Sequence, residues 1–124
     1  MAWGDELMRE GVPRCNVWRG GFPNAPAEGW NPAPAPAESN EPNGFGLYNV
    51  CGNVWEWCED WFSPACHTET APRDPVLSHP TGRRSMRGGS FLCHDSYCNR
   101  YRVAARSSNT PESASSNLGF RLAA

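Results

Sequence analysis

The chain has 124 residues and a formal net charge of −2, and its basic residues form no long run, which speaks against nucleic acid or an anionic membrane as the main partner. No stretch approaches about 18 consecutive apolar residues, so no apolar helix spans a bilayer, and the acidic start Met1-Ala2-Trp3-Gly4-Asp5-Glu6 lacks the pattern of a secretory signal. One small domain is expected, rich in loop from its 12 Gly and 12 Pro and packed around a heavy load of 6 Trp.

In chain order, residues 1–22 are mixed polar and aromatic, with Trp3, Trp18 and Phe22 as anchors. Pro23, Pro26, Pro32, Pro34, Pro36 and Pro42 then crowd one segment, which excludes a helix or a central strand. An ordered surface loop fits better than an interdomain linker, because neither flank is large enough to be a separate domain. Within residues 44–62, the run Val54 to Phe62 reads as a strand on which both period-two faces mix apolar and acidic groups. Trp55, Trp57 and Trp61 alternate with Val54, Glu56, Cys58 and Phe62, a pattern suited to a strand passing a polar site.

Residues 63–83 form a second polar loop. Ser85 to Phe91 reads as a short strand loosened by Gly88 and Gly89, where another backbone approaches closely. Tyr101, Val103 and Ala105 alternate with Arg102, Ala104 and Arg106 as a further candidate strand. Residues 107–117 are a polar loop, and Leu118, Phe120 and Leu122, alternating with Gly119, Arg121 and Ala123, form a terminal strand. No amphipathic helix longer than about three turns is expected.

The six cysteines are Cys15, Cys51, Cys58, Cys66, Cys93 and Cys98. None forms the C-x2-C pair of a structural zinc site, and the first four read as buried small hydrophobes. Cys93 and Cys98 differ. Their five-residue separation sends them apart on any helix or strand, so a turn is required for the sulfurs to meet. Such a pair suits either a plain disulfide or a soft metal such as Cu(I). His94, Arg87, Arg100 and Arg102 stand nearby in sequence and are expected to favour the thiolate. Asn49, Glu56 and Asp60 offer hard oxygen donors suited to Ca2+, or simply a solvated acidic strand end. Neither a G-x-S-x-G nor a phosphate-cradling glycine motif is present.

The stretch Gly44 to Trp57, with Gly46-Leu47-Tyr48 and Gly52-Asn53-Val54-Trp55-Glu56-Trp57 at its heart, resembles a core motif of the formylglycine-generating enzyme and sulfatase-modifying-factor family. Gly88-Gly89-Ser90-Phe91-Leu92-Cys93-His94-Asp95-Ser96-Tyr97-Cys98, followed by Arg100-Tyr101-Arg102 and the tail Asn117-Leu118-Gly119-Phe120-Arg121, resembles that family's active-site region. The likeness covers essentially the whole chain and corresponds to the C-terminal portion of the domain. It implies an irregular α+β fold of the formylglycine-generating-enzyme type, C-type-lectin-like in derivation and low in regular secondary structure.

The resemblance also implies an activity: copper-dependent oxidation by O2 of the cysteine in a sulfatase's C-x-P-x-R motif to Cα-formylglycine. By motif position, Cys93 and Cys98 hold Cu(I), Ser90 matches a serine beside the oxygen pocket, and Tyr97 matches a tyrosine near the metal. Two structural Ca2+ sites are implied. One uses Asn49, Glu56 and the backbone carbonyls of Gly52 and Val54; the other uses Asn16, Glu28 and the backbone carbonyls of Val17 and Trp30, with Glu28 where the family usually has aspartate.

Val103 and Leu122 replace cysteines of the secretory relatives, which implies a reducing, cytoplasmic, prokaryotic setting. The sulfatase polypeptide is the expected partner, together with a missing N-terminal half or self-association. The alternative is a non-catalytic, C-type-lectin-like binding module of the same superfamily, presenting residues 63–83 and 107–117 and indifferent to both thiols. A non-haem iron sulfoxide synthase would call for a histidine triad, which His67, His79 and His94 do not offer by spacing.

Overall fold

A computed structural model describes residues 2–69 and 76–122. The elements are short: β1 (Met8–Arg9), β2 (Val12–Pro13), β3 (Gly20–Gly21), β4 (Ala25–Pro26), β5 (Trp55–Trp61), α1 (Cys66–Glu69), β6 (Arg84–Arg87), β7 (Ser107–Asn109) and β8 (Leu118–Gly119). Strands β1 and β2 form one small antiparallel ribbon, and β3 and β4 form another. The organising unit is a four-stranded sheet in the order β7-β6-β5-β8. Within it β5 pairs antiparallel with β6 and parallel with β8. The architecture is the irregular one expected, with one short helical turn among the described residues. Among the described residues no helix is long and apolar enough to cross a membrane.

Regular strand begins only at Trp55 because the preceding residues turn repeatedly. Asn49 and Asn53 adopt φ of 51° and 68°, conformations that asparagine tolerates better than most residues. The register of β5 against β6 shifts between Trp57 and Trp61, so the period-two pattern expected from Val54 to Phe62 is interrupted. Trp61, partly exposed beyond the shift, is covered by the Arg84 guanidinium, 4.0 Å from its ring centre.

Three expectations need correction. The strand over Ser85–Phe91 ends at Arg87, because Gly88 and Gly89 both have positive φ. Residues 101–105 are not a strand: Tyr101 is buried, and Gly89 lies so close that an added Cβ would meet the Tyr101 amide nitrogen at 2.9 Å. The place beside β6 goes instead to Ser107–Asn109, taken from sequence as loop. Arg83 fixes it there, bonding the Ser108 hydroxyl and carbonyl, each at 2.9 Å. A polar strand suits a solvent-facing sheet edge. The terminal strand shrinks to Leu118–Gly119, while the expectation for Ala123 lies outside the described residues, as does part of the 63–83 loop.

The core joins Cys15, Val17, Trp55, Met86, Cys93 and Tyr101, with Trp3, Leu7, Trp57, Cys98 and Leu118 packed against it. Cys15 and Cys51 are buried as expected, but Cys58 and Cys66 are only half-buried, because Cys58 lies where β5 faces polar neighbours. The proline-rich loop is ordered by Asn53. Its side-chain carbonyl accepts from the Asn16 amide at 3.1 Å and the Ala35 backbone N–H at 2.8 Å, and its own amide donates to the Ala35 carbonyl at 3.2 Å.

Candidate functional site

The turn required by the Cys93–Cys98 spacing is present. The Cys93 N–H donates to the Ser90 carbonyl at 3.0 Å, and the Tyr97 and Cys98 N–H groups both donate to the His94 carbonyl, at 3.1 and 2.7 Å. These two reversals bring the Cys93 and Cys98 sulfurs to 3.1 Å. That is well beyond the roughly 2.05 Å of a disulfide bond, and both residues are thiols in this structure. Cys93 lies in the core and Cys98 is partly exposed, so the pair has a buried arm and an accessible one.

Ser90 is fully buried behind the pair. Its N–H points at the Cys93 sulfur at 3.4 Å, while its hydroxyl accepts from the Leu92 N–H at 3.2 Å and the Asn117 amide at 3.1 Å. Asn117 was not singled out from sequence as a site residue. Its signal was the one amide at the junction between a polar loop and a terminal alternating segment. On the other side, the Trp18 N–H donates to the Cys93 carbonyl at 3.0 Å. A small cavity of about 90 Å3 opens beside Cys93, bounded by Leu7, Val17, Trp18, His94, Asp95 and Tyr101.

Burial pushes the Cys93 thiol well above its ordinary pKa, and the Cys98 thiol hydrogen bond adds to it. The expectation that neighbouring arginines favour the thiolate fails here. Arg87, Arg100 and Arg102 turn to the backbone carbonyls of Val103, Arg106 and Asn99, at 2.6, 3.0 and 3.1 Å. They staple the 99–106 loop. His94 is likewise engaged locally, with Nδ1 2.6 Å from the Ser96 hydroxyl and 3.1 Å from an Asp95 carboxylate oxygen. Tyr97 is 76% exposed at the rim.

The donor set fits a soft cation in kind, two sulfurs 3.1 Å apart, while among the described residues no group of three or more His, Cys, Asp or Glu side chains gathers as a metal cage. The oxygen clusters fit a hard cation in kind but are occupied. Asn49, Val54 and Glu56 line one cavity of about 350 Å3 with Arg121, where Arg121 holds both Glu56 oxygens and the Asn40 amide donates to the Asn49 side-chain oxygen at 2.9 Å. Gly52 stands apart from that cavity, its backbone pressed on the Asn16 carbonyl. In the other cluster Asn16 and Trp30 do meet, the indole N–H donating to the Asn16 side chain at 3.3 Å. Val17 is buried in the core, and Glu28 is exposed and outside the cavity that Asn16 and Trp30 line.

A family described as the sulfatase-modifying factor enzyme 1-like domain matches residues 1–124. The chain is 59% identical over 123 residues to the formylglycine-generating enzyme of Streptomyces coelicolor, a match covering 98% of this chain and 39% of that protein. It is 36% identical over 125 residues to a mouse protein named inactive C-alpha-formylglycine-generating enzyme 2, covering 98% of this chain and 35% of the relative. Among solved structures, Treponema denticola variable protein 1 is similar with a TM-score of 0.55 and 31% identity, over 71% of this chain and 31% of that one. The chain therefore spans about two fifths of the Streptomyces relative's length. With that family matched over residues 1–124 and relatives aligned over nearly all of its length, the chain belongs to the sulfatase-modifying factor enzyme 1-like domain family.

Proposed function

We propose that this chain carries the reaction centre of a copper-dependent oxidase that converts the cysteine of a sulfatase C-x-P-x-R motif to Cα-formylglycine. The observation that carries the reading is the Cys93–Cys98 sulfur separation of 3.1 Å, with one thiol buried and the other open to a peptide. Cys93 and Cys98 are the residues that hold Cu(I). When bound, the metal supplies the activation of O2 for oxidising the substrate cysteine.

The chain's own residues aim that chemistry. Ser90 fixes Cys93 through its N–H and is itself fixed by Asn117 and Leu92. Burial raises the Cys93 thiol pKa in the metal-free chain; thiols bind a soft metal as thiolates, so capture releases protons and strengthens with pH. Tyr97, at the open rim next to Cys98, is placed to meet an incoming peptide. Asn49, Gly52, Val54 and Glu56, and separately Asn16, Val17, Glu28 and Trp30, are proposed as structural Ca2+ donors. In the first group Ca2+ competes with Arg121 for Glu56.

The test is aldehyde formation, read by mass spectrometry, on a C-x-P-x-R peptide with Cu(I) and O2. It is run with the chain alone and with a polypeptide supplying the remaining three fifths of the Streptomyces relative. Aldehyde that vanishes in Cys93→Ala and Cys98→Ser supports the reading. The idea is sunk by no aldehyde in either mixture together with Cu(I) binding unchanged by those substitutions. That result would favour the non-catalytic reading, to which the similarity with the inactive mouse protein lends its weight.

A further inference from the structure

The ring of Phe22 lies against two rings of the dithiol turn. It stacks on His94 with centroids 5.7 Å apart and planes 7° from parallel, and on Tyr97 at 5.2 Å and 18°. These separations fall within the range of favourable aromatic pairing. The two residues it touches have a particular place in the chain: His94 directly follows Cys93, and Tyr97 directly precedes Cys98. One ring thus contacts the turn beside each sulfur.

Phe22 is itself braced. It follows β3 at the head of the β3–β4 ribbon, and Trp18 meets it edge-on at 5.4 Å. Trp18 meets Trp30 edge-on at 5.3 Å and donates its backbone N–H to the Cys93 carbonyl. By contrast, the hydrogen bonds described for residues 94–97 stay within the turn. They join His94 to Ser96, and the Tyr97 and Cys98 N–H groups to the His94 carbonyl. Such bonds give the turn its shape without anchoring it to the domain, whereas the Phe22 stack links it to the braced aromatic cluster.

We propose that Phe22 is a positioning residue for the dithiol: its ring holds the His94–Tyr97 turn against the β3–β4 ribbon and so keeps the Cys98 sulfur within reach of Cys93. The inference rests on the reading of this pair as the reaction centre, but its physical content is the effective concentration of one thiol at the other. Removing the ring frees the turn to sample wider shapes, and ordering it again costs conformational entropy. Ring closure and two-point capture of a metal then weaken together.

The deciding experiment needs no copper. The 124-residue chain is equilibrated anaerobically in glutathione buffers, where the dithiol and one oxidised glutathione give the Cys93–Cys98 disulfide and two reduced glutathiones. The pair is trapped by alkylation and read by mass spectrometry of the peptide carrying both cysteines. Phe22→Ala is expected to shift this equilibrium about tenfold toward the dithiol, equivalent to about 1.4 kcal/mol. Phe22→Tyr, which keeps the ring, stays within about twofold of wild type. Phe22→Leu, which keeps apolar bulk but no ring face, follows alanine.

A merely structural residue would lower the thermal midpoint and leave the equilibrium unmoved. The proposal is overturned if Phe22→Leu holds the wild-type equilibrium, and the leucine variant decides the matter if alanine unfolds the chain. Failure of the oxidase reading appears as missing aldehyde with Cu(I) binding indifferent to Cys93 and Cys98, neither of which alters this thiol readout.

Discussion

The guanidinium of Arg121 grips the carboxylate of Glu56 at two points beside the parallel β5–β8 contact, with Nε 2.6 Å from Oε2, and the same group reaches the Tyr48 carbonyl at 2.8 Å. A residue near the end of the chain is thereby tied to the central strand and to the turn before it. The Glu56 side chain is 21% exposed and that of Arg121 37%, so the pair is partly screened. Arg121→Ala is expected to lower unfolding stability by about 1–2 kcal/mol in urea titrations, above the usual surface pair because it is two-pronged and charge-assisted. If Ca2+ uses Glu56, the same substitution tightens Ca2+ binding by calorimetry, while Glu56→Gln weakens it.

Asn53 connects three segments that are distant in sequence. Its backbone N–H donates to the Asn16 carbonyl at 2.6 Å, its carbonyl accepts from Phe91 at 2.8 Å, and its side chain bonds Asn16 and Ala35. Asn53→Ala leaves the Asn16 amide and the Ala35 N–H short of an acceptor and places alanine at a left-handed φ of 68°. A loss of about 2–4 kcal/mol is expected. Limited proteolysis should then cut within residues 31–43 at lower protease concentration than in wild type. An unchanged cleavage pattern would show that the loop is held by other contacts.

Gly89 combines a φ of 71° with a backbone contact that leaves no room for a side chain, 2.9–3.0 Å from the Tyr101 backbone and Cβ to any added Cβ. Gly89→Ala is expected to destabilise by about 2 kcal/mol or more and to disturb the Ser90–Cys93 turn that follows it. Gly44→Ala is the control, since nothing lies within 4 Å of its Cβ position, and its thermal midpoint should match or slightly exceed wild type.

Alkaline pH should unfold this protein through its buried thiols. Burial pushes Cys15 from an ordinary value of 9.0 up to about 12, with Cys51 adding to the rise. An acid whose pKa is higher in the folded state binds more protons there, so its stabilisation is whole below pH 9 and is lost as pH climbs from 9 toward 12. Each such thiol contributes a slope of up to about 1.4 kcal/mol per pH unit in that window. Urea midpoints from pH 8 to 10.5 should fall more steeply for wild type than for Cys15→Ala. Parallel slopes would mean that Cys15 is ionised as easily folded as unfolded.

The sequence and the tertiary structure answered different questions at Cys93 and Cys98. A five-residue spacing already required a turn if the sulfurs were to meet, because helix and strand geometry both separate them, and that turn is present. The effect of the nearby arginines was not legible. Proximity in sequence placed Arg87, Arg100 and Arg102 around the thiols, whereas in the fold each reaches a backbone carbonyl of the 99–106 loop. Burial, a property of the assembled core, governs Cys93 instead.

Strand assignment divided along the same line. Trp55–Trp61 was readable because aromatic residues recur along it, and the proline-rich loop was readable because proline forbids its alternatives. Tyr101–Ala105 misled because alternation is a local pattern, while pairing with β6 depends on which segment reaches that edge. Ser107–Asn109 reaches it, and Tyr101 is drawn into the core against Gly89 instead.

Composition and proline placement sufficed for an irregular, loop-dominated domain, the thiol spacing required a turn if the two sulfurs were to meet, and the Gly44–Trp57 and Gly88–Cys98 motifs carried the resemblance to the family. Only the tertiary structure decided that Phe22 stacks on that turn, that Asn117 bonds Ser90 behind it, that Asn53 ties down the proline-rich loop, that Arg121 takes Glu56, and that burial pushes the Cys93 thiol pKa up. The reason is physical. Turn-forming and helix-breaking preferences act over a few neighbouring residues, whereas stacking, burial and ion pairing arise only when segments tens of residues apart are brought into contact.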